Sequence, residues 1–349
     1  MSRRAATLTV ASVIILVLAV VGSVMPVPYV ALTPGPTKNT LGTDEQGKPL
    51  IAIDGRETYP GEGHLNFTTV TYRGGPGGRI DLFTALSGWL AGDTAVVPEE
   101  TIFPDNESQK QIEQENTRQM QNSQQSAEAA ALRELGIDIT TRVVIQDVQQ
   151  GRPAHGVLKP GDQILAVGDT KATGVTQIVD AMAAHAIGDT VTITYQRAGK
   201  EHKADITTVA DPSGQRPVIG IILTDQYDLP FKIDISVGDI GGPSAGLMFS
   251  LAIVDKLTPG PLTGGKFIAG TGTITPEGRV GPIGGIQQKM IAARQAGATI
   301  FLTPADNCPD ALTARPDGLR LIRADTLHST IQAINALNTG KGDIPSCAE

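Results

Sequence analysis

The sequence predicts an α+β protein of more than one domain, led by a helix able to cross a membrane. Three observations predict it. No charged residue occurs between Ala5 and Thr37, and Leu8 to Met25 is almost wholly apolar. Beyond that stretch, short runs with strand character interleave with helical ones. Leu65 to Tyr72 and the alternating Val191-Thr192-Ile193-Thr194-Tyr195 are of the first kind; Ala245 to Leu257, with Leu247, Leu251 and Val254 at core spacing, is of the second. Forty glycines and 23 prolines among 349 residues supply the turns such short elements need, and the length suffices for two domains with a substantial core.

About 20 apolar residues cross a bilayer as a helix, and Arg3 and Arg4 before them favour a cytoplasmic N-terminus. The alternative is a cleaved signal peptide. No obvious small-x-small cleavage site precedes Pro26, and Pro26, Pro28, Pro34 and Pro36 would resist processing there. An uncleaved anchor is therefore preferred, giving a single-pass protein of the cell membrane; on either reading the bulk of the chain lies outside the cytoplasm. The 28 basic and 36 acidic residues give a formal net charge of −8, which argues against a dedicated nucleic-acid binder, because phosphate recognition requires a basic face. Five scattered histidines, with no Cys-x-x-Cys and no His-Glu-x-x-His, argue against a metal site, and no cofactor is expected. Two cysteines occur, Cys308 and Cys347. In an oxidising compartment they can pair and tie down the C-terminal tail, stabilising it by roughly 3 to 4 kcal/mol; two unrelated thiols are the alternative.

Residues 1–37 thus read as a cytoplasmic stub, membrane helix and exit segment. Residues 38–125 read as the N-terminal part of a catalytic domain plus a connecting arm. They hold strands at 51–53 and 65–72, a Gly-Gly-Pro-Gly-Gly turn at 74–78 and a helix from Ile80 to Leu90. A polar stretch from Glu99 to Ala129 follows, read as a long solvated helix or arm.

Residues 126–212 read as a separate unit. Val143-Val144-Ile145 is strand-like, a Pro-Gly-Asp turn at 160–162 feeds another strand, a helix runs from Val175 to Ala186, and the alternating strand 191–195 follows. This order, and above all the run Leu158-Lys159-Pro160-Gly161-Asp162-Gln163-Ile164-Leu165, resembles a PDZ domain of the kind found in bacterial proteases. The resemblance implies capture of extended C-terminal peptides by strand addition at a sheet edge. Leu135-Gly136-Ile137 is the candidate carboxylate-binding turn, since backbone N–H groups beside a glycine can hold an anion; a C-cap glycine ending a helix over 127–134 is the alternative.

Residues 213–349 carry the chemistry. Pro217 to Thr224, Lys232 to Val237, Phe267 to Ile274 and Ala298 to Thr303 read as strands; Ala245 to Leu257 and Gly284 to Ala296 read as helices. In Gly242-Pro243-Ser244-Ala245-Gly246 a serine stands among small residues at a helix start. Nothing bulky shields its hydroxyl, and the free N–H groups of a first helical turn can hold an oxyanion. Lys289 follows a glycine turn on the second helix among apolar residues, where burial can keep an amine neutral. A serine with a desolvated lysine base is a known variant of nucleophilic acyl transfer.

These segments, with Gly270-Thr271-Gly272-Thr273-Ile274-Thr275 and Gly278-Arg279-Val280-Gly281-Pro282-Ile283-Gly284-Gly285-Ile286 in the same order, resemble the proteolytic domain of Lon-type serine proteases. With the anchor and the PDZ-like unit, the whole chain looks like the membrane-anchored, PDZ-containing Lon-like proteases of bacteria. The resemblance implies Ser244 as nucleophile, Lys289 as general base and Thr271 as the hydroxyl that helps hold the amine; the backbone N–H groups of Ser244 and Ala245, at the helix start, would form the oxyanion hole. Many Lon-type enzymes carry an acidic residue before Gly-Pro-Ser, where this chain has Gly241. The resemblance also implies a homo-oligomeric ring, often of six subunits.

Gly260-Pro261-Leu262-Thr263-Gly264-Gly265-Lys266-Phe267 nearly matches a phosphate-binding loop but ends in Phe, leaving no hydroxyl for magnesium. The expectation is an α+β Lon-type proteolytic domain with an inserted PDZ domain and an N-terminal transmembrane helix. It would cleave unfolded or PDZ-captured proteins and peptides outside the cytoplasm, without an ATPase module in the chain. A noncatalytic PDZ peptide-binding scaffold with a vestigial protease fold is the alternative.

Overall fold

A computed structural model of the protein describes residues 3–44, 46–103 and 108–347. The chain divides into two compact units, one formed by residues 1–137 and 231–349, the other by 138–230.

The larger unit is organised on a six-stranded sheet. Its strand order is Arg320–Ala324, Ile300–Pro304, Phe267–Gly270, His64–Arg73, Tyr29–Asn39 and Ala95–Pro98. The first four run parallel; the last two are added antiparallel. All five residues of Ile300–Pro304 are buried, as expected of a central parallel strand covered on both faces. The helix Gly246–Leu257 is buried from Gly246 through Asp255, and Phe249 on it meets Phe67 of the sheet edge-to-face at 5.5 Å. The helix Ile286–Gln295 buries Ile286, Met290 and Ala293 in a cluster with Ala269, Phe301 and Leu321. Cys308 and Cys347 are joined in a disulfide, which ties the C-terminal tail to this cluster.

Two devices join the parts of this unit that lie on either side of residues 138–230 in the sequence. Strand Ile51–Asp54 pairs antiparallel with Lys232–Ile235. The long helix Gln109–Glu134 begins at a capping box between Ser108 and Gln111. Its polar composition predicts a long solvated helix or arm; the segment is a helix, but one that packs on Gly246–Leu257 and buries Met120, Ser123, Ala127, Ala130 and Ala131. Small side chains on one stripe let two helices approach closely even when the rest of the helix is Gln and Glu.

The smaller unit is a second sheet, ordered Lys200–Thr207, Thr190–Arg197, Gln163–Val167, Thr140–Val148 and Ile221–Asp228, with helix Val175–Ala183 against it. Its core is Val143, Ile145, Leu158, Ile164, Ile178, Ile193 and Ile206. The strand expected at 217–224 with the C-terminal segment lies here, because Ile221–Asp228 pairs with Thr140–Val148 over its whole length. Such a pairing joins residues about 80 positions apart and leaves no local mark in the sequence.

The N-terminal helix Arg3–Val24 is, among the described residues, the one helix long and apolar enough to cross a membrane. Twenty-two residues span about 33 Å.

Candidate active site

The loop carrying Ser244 is held from three directions. Gly242 has a φ of 89°, a left-handed conformation that favours glycine, and its N–H donates to the carbonyl of Asn116 on the long helix at 2.9 Å. Ser123, about two turns further along the same face, donates its hydroxyl to the carbonyl of Pro243 at 2.9 Å. At Gly241, a Cβ would meet Cβ of Asn116 at 2.7 Å, so a larger side chain has no room at that position. Finally, the carbonyl of Ser244 accepts from the N–H of Gly272 at 2.8 Å and from the hydroxyl of Thr271 at 3.0 Å.

Lys289 reaches the same point from the other side. Gly285, at φ 66°, starts its helix, and a Cβ there would meet Cγ2 of Val70 at 2.7 Å. Lys289 falls on the first turn, its N–H donating to the carbonyl of Gly285 at 3.1 Å. Its Nζ lies 2.8 Å from Oγ of Ser244 and 3.1 Å from Oγ1 of Thr271. The side chain is 4 % exposed, and Thr271 is fully buried. No carboxylate pairs with Lys289 among the described residues, and burial alone pushes its pKa from 10.5 down to about 7. Among the described residues no hydrogen bond takes up the N–H of Ser244 or of Ala245, which precede the first turn of Gly246–Leu257. Ser244, Thr271 and Lys289 are therefore brought together from three separate elements.

The candidate carboxylate turn fares differently. Leu135-Gly136-Ile137 closes the long helix: the three N–H groups donate to the carbonyls of Ala131, Arg133 and Leu132 respectively. With Gly136 at φ 66° this is a helix C-cap, so these donors are taken up by the helix and the anion-cradle expectation is corrected. A groove of about 310 Å³ lies instead in the smaller unit, between helix Val175–Ala183 and strand Ile221–Asp228. Ile178, Val179 and Met182 line one side, Ile219, Ile221 and Leu223 the other. Ile221–Asp228 is the last strand in the order of this sheet among the described residues. The turn leading into it contains Ile219-Gly220-Ile221, with Gly220 at φ 82° packed on Arg152. It repeats the apolar-Gly-apolar pattern of 135–137 next to a sheet edge, and that neighbourhood is the signal the sequence reading missed, as it missed Asn116 and Ser123.

Fold and site together define a two-part chain: a mixed sheet domain with a serine–lysine pair, and a small β-domain with a peptide-sized groove. Residues 230–334 match the Lon protease (S16) C-terminal proteolytic domain, and residues 115–208 match the PDZ domain. The chain thus carries a Lon-type proteolytic domain and a PDZ domain. A Lon protease of Dictyoglomus thermophilum is 43% identical over 133 residues, 36% of this chain and 16% of that protein. A Lon protease of Heliobacterium modesticaldum is 45% identical over 69 residues, 20% and 8% of the two chains. The serine protease Do-like HtrA of Lactococcus lactis is 42% identical over 85 residues, 24% and 21%. The chain therefore spans about a fifth or less of the length of these curated relatives. Among solved structures, the PDZ domain of an SdrC-like protein from Listeria monocytogenes is 34% identical, covering 24% of this chain and 86% of that one with a TM-score of 0.22.

Proposed function

We propose that the protein is a membrane-anchored serine endopeptidase of Lon type, with Ser244 as nucleophile and Lys289 as general base. The observation that carries this reading is the 2.8 Å approach of Nζ to Oγ in a pocket where burial brings the amine's pKa to about 7. A neutral amine has one lone pair. Oγ1 of Thr271, whose own proton goes to the carbonyl of Ser244, accepts an N–H of the amine and leaves the lone pair aimed at the serine proton. The serine proton passes to Nζ as Oγ attacks the peptide carbonyl, and the oxyanion is held by the N–H groups of Ser244 and Ala245. The ammonium then returns the proton to the leaving amine, giving an acyl-enzyme. Water, deprotonated by the same lysine, releases the acid and regenerates the serine.

Three features support the rest of the reading. Arg3 and Arg4 precede the apolar helix, as in a span with a cytoplasmic N-terminus. The Cys308–Cys347 bond suits an oxidising, extracytoplasmic compartment. The groove beside Ile221–Asp228 suits an extended peptide added as a further strand, which would tether a substrate by its C-terminus.

Turnover of an unfolded protein by the full-length chain, without nucleotide, tests the proposal. Wild type should cleave it and Ser244→Ala should not, at nearly equal thermal midpoints. Equal cleavage by both would remove Ser244 as nucleophile; cleavage by neither, with peptide binding intact, would favour a noncatalytic peptide-binding scaffold.

A further inference from the structure

The helix Leu82–Leu90 is built inside out for a protein in water. It contains no charged residue, and its buried positions are the small Ala85 and Gly88. At Gly88 a Cβ would meet Cγ2 of Val96 at 2.6 Å, so the small side is packed tightly against the sheet. The large apolar side chains stay open: Phe83 is 45% exposed, Leu86 40% and Leu90 89%, and Trp89, whose indole N–H donates to the carbonyl of Val96 at 3.3 Å, is 56% exposed. Phe83, Leu86 and Leu90 recur at i, i+3 and i+7, one stripe of the helix. A solvated helix has the reverse arrangement.

The same helix is fastened to the end of the apolar N-terminal helix. Pro26-Val27, just beyond Val24, pairs with Ile80-Asp81, just before Leu82. The N–H of Leu82 donates to the carbonyl of Met25 at 3.2 Å. Phe83 packs on Gly22 so closely that a Cβ at Gly22 would meet its ring at 2.8 Å. Asp81 caps the helix from outside the apolar stripe, accepting from the N–H of Thr84 at 3.0 Å. Tyr29 meets Trp89 edge-to-face at 5.7 Å, an aromatic pair of the kind that settles at the boundary between acyl chains and water.

We infer that Leu82–Leu90 lies in the membrane interface, with Phe83, Leu86 and Leu90 among the lipid acyl chains and Trp89 at their boundary with water, so that the proteolytic domain is seated on the bilayer rather than only tethered to it. The inference rests on the proposed membrane span Arg3–Val24. That span delivers the chain at the bilayer surface, and nine residues of helix reach only about 13 Å from there. The apolar stripe is therefore continuous with a lipid-facing one. A short amphipathic helix in this position adds a second, in-plane attachment to the span, and it restricts which way the catalytic pocket can face.

Trp89 is the sole tryptophan of the chain, so its fluorescence reports on this helix alone. The full-length protein should be reconstituted in phosphatidylcholine–phosphatidylglycerol vesicles and floated on a density gradient. Lipids brominated near the headgroup end of the acyl chain should then quench Trp89 at least twofold, and aqueous acrylamide should quench it little. The double variant Leu86→Ser, Leu90→Ser should still float, through Arg3–Val24, but lose most of the bromine quenching. Flotation with Trp89 open to acrylamide would overturn the inference and leave the span standing. Flotation with Trp89 shielded from both quenchers would overturn it in favour of a second copy covering the face. Failure to float would overturn the span itself and the inference with it.

Discussion

The serine–lysine pocket and the peptide groove stand in opposite relations to water. In the pocket, one amine is almost fully enclosed, meets two hydroxyls and no carboxylate, and is driven toward neutrality by its enclosure. In the groove, the last strand in a sheet's order lies beside apolar side chains. Chemistry by a lysine base needs a group deprived of solvent; capture by strand addition needs backbone groups still facing it. The pocket is accordingly assembled from tightly packed glycines and helix ends, where a single Cβ is out of place. The groove depends on one β-pairing, between Ile221–Asp228 and Thr140–Val148. Substitutions in the first should act on the chemical step, and in the second on substrate binding.

The sharpest break of this contrast is Lys289→Met. Removing the base should lower kcat by about 10³-fold or more with KM little changed. In the wild type, kcat/KM should rise with pH through a midpoint near 7 and level off above it, because the amine acts only when neutral. Stability should follow the same group. Its pKa is about 7 folded against 10.5 as the ordinary value, so between those pH values the unfolded chain binds more protons and stability rises with pH. Lys289→Met should abolish that rise in urea midpoints. A wild-type rate profile flat from pH 6 to 9 would refute a lysine base.

Thr271→Val is isosteric and removes the hydroxyl that meets both Nζ and the carbonyl of Ser244. We expect kcat to fall roughly 10- to 100-fold at unchanged KM. Losing an acceptor that favours the ammonium should also move the midpoint of the pH profile downward. Thr271→Ser should restore most of the rate and the midpoint. A variant impaired in KM alone would place Thr271 in substrate binding instead.

Val179→Glu tests the groove. Val179 is half exposed on the lining helix, so the fold should tolerate the change. A carboxylate beside an apolar groove that receives a C-terminus should raise KM for a long unfolded substrate about tenfold, on the scale of 1 to 2 kcal/mol for a misplaced charge. kcat on a short peptide too small to reach both units should stay unchanged. Equal effects on both substrates would dissolve the division of labour.

The two regions also differ in how far they could be foreseen. Gly242-Pro243-Ser244 and the turn before Lys289 are local patterns, since each answers to backbone geometry within a few residues: a left-handed glycine and a helix start. Their meeting at 2.8 Å was implied by resemblance rather than by spacing. The groove is made by Ile221–Asp228 pairing with Thr140–Val148, and neither strand carries a mark of the other. Glycine stands between apolar residues at 219–221 as well as at 135–137, and only the tertiary setting separates the helix cap from the turn beside the groove. The long helix was misjudged for a related reason. Its Gln and Glu content spoke for solvent, while the stripe Ser123, Ala127, Ala130 that seats it under the serine loop is apolar only by being small.

That seating supplies the smallest test. Glu128 on the long helix faces Asp234 on the strand that leads into the serine loop; burial, then the neighbouring carboxylate, pushes its pKa from 4.5 up to about 7. Between those values the folded protein holds a proton that the unfolded chain releases, so this group lowers stability as pH rises from 4.5 to 7, and its cost is complete above 7. Gln124 on the same helix donates to the carbonyl of Ile235 at 3.2 Å, so the strain falls on the contact that positions Ser244, and it falls there in the pH range where Lys289 becomes neutral. Glu128→Gln should raise stability by on the order of 1 kcal/mol at pH 8, and not at all at pH 4, with kcat nearly unchanged. A gap between variant and wild type that is the same at both pH values would mean that Glu128 is ionised like any surface carboxylate, and that the long helix holds the loop independently of pH.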